Sequence, residues 1–262
     1  MTAQTRRVNA GEGPLQPIAP LRNVQRFHEL VTRLQERHHH LPGWGAFSGP
    51  SGRGKTTAAV HTTLKSSAIY VECGSTWTAS TLVDALMAEL NMAPIRAGVA
   101  KKVQAIIGLL SDDPLPMIFD EADHLVKKSL IDVIREISDK SGSPVVLIGE
   151  THLPQKLMAF ERAHNRVLEW MEAEDCTLAD AKALARLYAR DIEIADDLLQ
   201  RIVTVTEGTT RRIVINIDRM VEMAKRLGRT KVALADFMDE IDRGLPPRRK
   251  AGMAKRAAGG AA

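Results

Sequence analysis

The eight residues Gly49–Thr56, GPSGRGKT, constrain this chain more than any other stretch. They fit the spacing GxxxxGK[ST] and stand between WGAFS, which reads as a buried strand, and TAAVHTTLK, which reads as a helix. A phosphate cradle needs that context. The glycines let backbone N–H groups wrap phosphate oxygens at the positive end of a helix beginning near Lys55, whose ammonium neutralises the β and γ oxygens. Thr56 offers its hydroxyl to Mg²⁺. The candidates for nucleotide contact are therefore Gly49, Pro50, Ser51, Gly52, Arg53, Gly54, Lys55, Thr56 and Thr57.

A strand–loop–helix of this kind opens an alternating α/β pattern. Val24, Phe27, Leu30, Val31 and Leu34 predict a helix over 21–38, ahead of the first strand. A second strand is expected at 68–72, helices at about 79–90 and 99–110, and a buried strand at PMIFD. Then come a helix at about 126–139, a strand at 144–149, a helical segment near 153–163 and a fifth strand at RVLEWME. From Thr177 to Ile241 the periodicity is helical throughout, with no strand expected. The fold class is α/β: a parallel sheet sandwiched by helices, followed by a small all-helical lid. The expected division is a flexible arm (1–20), a P-loop domain (21–173), the lid (174–242) and a basic tail (243–262).

Composition narrows the function classes. No run approaches the roughly 18 apolar residues of a membrane span, and the N-terminal stretch lacks the apolar core of a signal peptide, so the expected location is cytoplasmic, with no membrane partner. Cys73 and Cys176 form no CxxC or Cys/His pattern and read as two reduced, buried thiols. His38, His39 and His40 are consecutive at a helix end, point in different directions and read as surface. The formal charge of +4 hides an asymmetry: six basic residues and no acid lie from Arg243 onward, leaving −2 for residues 1–242. Any nucleic-acid contact must then come from local clusters or from the tail.

A second motif supports hydrolysis. MIFDE places Asp120 at a strand end, where it can hold the magnesium shell, and Glu121 just beyond, where it can polarise a water against the γ-phosphate. In a small-molecule kinase such a water-activating Glu would be a liability. The letters DEAD at 120–123 suggest a helicase, but the other helicase signatures are missing; Asp123 and His124 read as a helix start and a surface residue. After PVVLIG, Glu150 and Thr151 occupy the sheet edge where a polar sensor of the γ-phosphate would stand. Arg166, with Arg162 as alternative, precedes the last strand, where a ring or filament ATPase presents an arginine finger to its neighbour. Arg211, with Arg212 as alternative, stands at a helix start in EGTTRRIV, fitting the GxxR of a second sensor.

With GPSGRGKT, MIFDEADHL, LIGETHL, the arginine of NRV and GTTRR in this order, the chain resembles AAA+ ATPases over about residues 21–242. The short DEADHL and GETHL segments and the compact size are similar to the Mu B-type transposition ATPases. That resemblance implies ATP and Mg²⁺ as cofactors, self-assembly into a filament or ring, capture of double-stranded target DNA and activation of a transposase. A helicase loader or replication initiator of the same superfamily, and a nucleotide-switched scaffold of a secretion or signalling complex, are the alternatives. Ten aromatics in 262 residues leave few platforms for stacking unpaired bases, which favours duplex. Arg96, Lys101 and Lys102, in a stretch free of acids, with Lys127 and Lys128, are the candidates for phosphate contact.

Overall fold

Apolar side chains alternate so that both faces of one sheet are buried, and the rest of the chain is arranged to cover them. The computed structural model describes residues 18–127, 130–237 and 241–244. The helix α1 (Arg22–Gln35) is followed by β1 (Trp44–Ser48), α2 (Lys55–Ser66), β2 (Ile69–Glu72), α3 (Ala79–Glu89), α4 (Val99–Asp112) and β3 (Met117–Asp120). Then come α5 (Asp123–Lys127), α6 (Ile131–Ser141), β4 (Val145–Gly149), α7 (Leu153–Met158), α8 (Glu161–His164) and β5 (Val167–Glu172). The five strands are parallel in the order β2-β3-β4-β1-β5. Phe47, Ile118, Val146 and Ile148 face one core, which α1 and α2 cover; Ala46, Met117, Phe119 and Leu147 face the other, under α3, α4 and α6. Period-two alternation within fully buried strands produces this two-sided core.

The C-terminal part packs onto the first of these cores. It comprises α9 (Leu178–Tyr188), β6 (Glu193–Ile194), α10 (Asp196–Val205), α11 (Thr210–Arg226), β7 (Lys231–Val232) and α12 (Leu234–Phe237). Leu184, Leu198, Ile202, Ile213, Ile217 and Phe237 are continuous with the α1 side of the sheet in one buried cluster. The expectation of helices alone fails here. Ile194 pairs in parallel with Val232, and Glu193 with Lys231, whose side chains form a 2.7 Å ion pair. A pairing two residues long is too short to show a period in the sequence.

Two further expectations are corrected. The single helix expected at 126–139 is α5 and α6, separate helices. Ile18–Pro20, read as the end of a flexible arm, are packed structure: Ala19 and Leu21 are buried, and the Leu21 N–H donates to the Ala19 carbonyl at 2.8 Å. The rest of the arm, and the tail from residue 245, lie outside the described residues. Both cysteines are free and buried, and burial pushes each thiol up to about 12.

Asn23 fastens α1 to the segments on either side of it. Its buried amide Nδ2 donates to the carbonyls of Arg53 (3.0 Å) and Glu174 (2.9 Å), and its Oδ1 accepts from the Glu174 N–H at 3.0 Å. The phosphate loop and the chain leaving β5 are thereby joined. Replacing Asn23 by Ala strands a buried donor and acceptors, so Asn23→Ala should lower unfolding stability by about 2 kcal/mol in urea denaturation; an unchanged midpoint would contradict this. With raised pKa values the two thiols stay protonated near neutrality, so in the native chain neither should react with a disulfide reagent at about pH 8, and both should after unfolding.

Candidate active site

All five strands run the same way, so the loops that follow β1, β3 and β4 open at one edge of the sheet. The loop after β1 needs left-handed backbone at Gly52 and Gly54, both at φ +80°. A Cβ on Gly52 would also come within 3.0 Å of the Thr209 methyl, so the loop lies against the N-terminus of α11. Gly54 ends the loop and α2 begins at Lys55. The Lys55 ammonium donates to the carbonyls of Gly49 (2.7 Å) and Pro50 (2.9 Å). Burial lowers its pKa, opposed by the charges of Asp120, Glu121 and Glu150 nearby.

Asp120 is the buried centre of the site, only 3% exposed. Its Oδ2 accepts from the Thr56 hydroxyl at 2.7 Å and from the Tyr70 hydroxyl at 3.1 Å, and its Oδ1 from the Glu121 N–H at 2.8 Å. Thr56 and Asp120 thus bring a hydroxyl and a carboxylate together at the mouth of the phosphate loop. Two hard oxygen donors beside a phosphate site suit Mg²⁺, which takes few protein ligands and completes its shell with phosphate oxygens and water. No group of three or more His, Cys, Asp or Glu side chains forms an alternative metal site among the described residues. Glu121 adopts φ +53°, unusual for a non-glycine residue, and lines the cleft. Burial, then the neighbouring Asp120 charge, raises its carboxyl pKa. Tyr70 is not among the residues singled out from sequence, where 68–72 is expected only as a second strand; no motif marks it.

At the end of β4, Glu150 lines the cleft, whereas Thr151 is exposed and does not. Asp123 holds this corner. It starts α5, as expected, but is also buried, and accepts from the Glu150 N–H at 2.8 Å and the Lys156 ammonium at 2.5 Å. A Cβ on Gly149 would fall 2.3 Å from Asp123 Oδ2, so glycine there is a packing requirement.

The cleft, of about 370 Å³, lies between this sheet edge and the helical segment. Ser51, Gly52, Gly54, Lys55, Thr56 and Thr57 line the sheet side. Opposite them Leu184, Tyr188, Val214 and Ile215, with Ile18, Ala19 and Leu21, form an apolar wall suited to a flat base. None of that wall was singled out from sequence, because its parts are distant in the chain. Arg211 lines the cleft, and its N–H donates to the Gly52 carbonyl at 3.0 Å; Arg212 turns to Asp242 at 3.6 Å. Among the motif residues, Gly49, Pro50 and Arg53 do not line the cleft. The Arg53 side chain turns away from the cleft: its guanidinium is buried against the Glu207 carbonyl (2.7 Å) and Asp175 (2.6 Å), tying the phosphate loop to the helical segment.

Arg166 stands at the opposite edge of the sheet. Its carbonyl accepts from the Trp44 N–H at the start of β1, and its guanidinium pairs with both oxygens of Asp139 at 2.5 Å, which raises its pKa. Arg162 is exposed. Of the phosphate-contact candidates, Arg96, Lys101 and Lys127 are exposed, while Lys128 lies outside the described residues. Lys102 is a correction: α3 supplies Asp84, which holds its ammonium at 2.6 Å and leaves that side chain 13% exposed.

Residues 37–157 match the family model described as AAA domain. The fold is the AAA+ P-loop fold. No curated protein matches the chain. Among solved structures it resembles the ORC2 protein of Aeropyrum pernix, solved as ADPNP–ADP complexes, with TM-score 0.66 and 16% identity over 83% of this chain and 67% of that one. It also resembles Cdc6p of Pyrobaculum aerophilum (TM-score 0.63, 18% identity, 84% of this chain, 66% of that one). The ORC1 protein of Aeropyrum pernix, solved in complex with DNA, gives TM-score 0.58 and 16% identity over 84% of this chain and 64% of that one. The chain spans about two-thirds of the length of these proteins.

The two neighbouring arginines of α11 differ in what they face, and the difference is measurable. Arg211→Ala should weaken ATP binding or hydrolysis about tenfold or more, as expected for a lost charge-assisted contact, while Arg212→Ala leaves both near the parent value. Equal effects of the two substitutions on nucleotide titration and phosphate release would remove Arg211 from the site.

Proposed function

We propose that this chain is an Mg²⁺-dependent ATPase whose nucleotide state governs assembly on double-stranded DNA. The observation that carries the reading is the convergence of Lys55, the Thr56–Asp120 pair and Glu121 on one cleft closed by Arg211 from the helical segment. On ATP binding, Lys55 exchanges the loop carbonyls for phosphate oxygens, and Thr56 and Asp120 hold the metal that offsets their charge. Glu121 orients the attacking water, and Glu150 senses the γ-phosphate from the end of β4. The helical segment from residue 174 acts as the lid. The remote Arg166 serves a neighbouring subunit's phosphate, exchanging Asp139 for it on assembly.

The more specific reading is a target-capture ATPase and transposase activator in DNA transposition, acting in the cytoplasm as a homo-oligomeric filament or ring. Its support is the motif order and the short DEADHL and GETHL segments. A replication initiator or helicase loader is the second reading, favoured by the fold likeness to ORC2, Cdc6p and the DNA-bound ORC1. Arg96, Lys101, Lys127 and Lys128 are the proposed duplex contacts, and recovery of a transposase or of a helicase on the assembled protein separates the two readings.

Lys55→Ala should abolish ATP binding and nucleotide-dependent binding to duplex DNA. Glu121→Gln should retain ATP, slow hydrolysis about a hundredfold or more, and stabilise the DNA-bound assembly. Filter binding across a salt series and electron microscopy with and without ATP measure both. DNA binding indifferent to either substitution, or to salt, rejects the mechanism, since neutralised phosphates impose a steep salt dependence.

A further inference from the structure

A second cleft, of about 490 Å³, lies away from the nucleotide, between α2 and α3. Val60, Thr63 and Leu64 form one wall and Ala85, Ala88 and Glu89 the other. Tyr70, Val71 and Glu72, three consecutive residues of β2, make its floor. Side chains of consecutive strand residues alternate between faces, so a groove touching all three follows the open edge of the strand. β2 is the edge strand of the sheet, and among the described residues its outer backbone groups meet no neighbouring strand. Leu64, at 41% exposure, is an apolar side chain held at the rim. Glu72 and Glu89 make no ion pair among the described residues, and partial burial raises the Glu89 carboxyl pKa. Apolar walls, an open strand edge and two uncompensated carboxylates together select an extended chain carrying both aliphatic and cationic side chains.

The floor of the groove also reaches the nucleotide site. Tyr70, which lines the groove, donates its hydroxyl to the Asp120 oxygen that Thr56 also contacts. An occupant pressing on the Tyr70 ring bears on the hydrogen bond that orients the proposed magnesium ligand. We propose that the α2–β2–α3 groove docks an extended, basic and aliphatic peptide segment of a partner protein, and that this docking is transmitted through Tyr70 to Asp120. The second half rests on the ATPase reading above; the first does not.

Selection of twelve-residue displayed peptides on the immobilised full chain, without nucleotide, tests the docking half. Selected peptides should combine Lys or Arg with Leu, Ile or Phe, and Leu64→Glu and Glu89→Lys should each weaken their binding about tenfold or more, while leaving ATP hydrolysis without peptide unchanged. Peptides that are acidic, that bind both variants as well as the parent, or that fail to emerge overturn the proposal. So does loss of self-association in Leu64→Glu without any peptide effect, which would assign the groove to a second copy. In the second arm, a selected peptide should change the parent's ATP hydrolysis rate, and Tyr70→Phe should bind that peptide with parental affinity while losing the response. A peptide that binds but leaves the parent's rate untouched removes the coupling and keeps the docking site. A parent chain with no hydrolysis at all would instead count against the ATPase reading.

Discussion

A buried carboxylate has to be satisfied, and much of this molecule is organised around satisfying Asp120. An ionised group nearly removed from water is costly unless hydrogen bonds or a cation compensate it. Three donors converge on Asp120: Thr56 from the helix after β1, Tyr70 from β2, and the N–H of Glu121 from its own turn. Each comes from a different segment, so the carboxylate pins neighbouring strands and the phosphate loop to a common point. Glu121 is held beyond the strand end at positive φ, and the raised pKa of its carboxyl follows first from its burial and then from the Asp120 charge beside it.

The second organising feature is that the phosphate loop is not an isolated element. The Arg53 carbonyl is held by Asn23 of α1, the Arg53 guanidinium by Asp175 and Glu207, and the Gly52 carbonyl by the N–H of Arg211. A change in loop shape on phosphate binding therefore reaches the N-terminal helix, the chain leaving the sheet and the helical segment together. Residues in close-packed surroundings transmit small displacements because they cannot absorb them. That gives a physical route by which nucleotide state could set the position of the helical segment.

What was legible in the sequence is what chemistry requires to be contiguous. GPSGRGKT and MIFDE are each compact because a loop must wrap a phosphate and a strand must end in its acids, and the strands carrying them lie where apolar runs predicted. Illegible features are those made by residues distant in the chain. Tyr70 is an ordinary strand tyrosine until β2 and β3 pair in register, Glu72 opposite Asp120. Lys102 looks like a free cation until α3 places Asp84 beside it, and the Arg53 guanidinium looks free until Glu207 and Asp175 fold back over it. The two-residue pairing of β6 with β7 has too few positions to carry a period.

Position on the sheet decides what Arg166 can do. Its carbonyl is bonded to the first residue of β1, so it stands at the edge of the sheet where strands begin, whereas the phosphate loop leaves from their ends. The five residues of β1 span about 16 Å at the rise of a parallel strand, more than an arginine side chain covers. Arg166 therefore serves no phosphate in its own cleft. Its bidentate partner Asp139 is a carboxylate, an anion that an arginine fork grips as it would a phosphate face. In the proposed in-trans role, assembly would replace one anion by another of greater charge, and the subunit contact would then depend on whether that second anion, the γ-phosphate, is present.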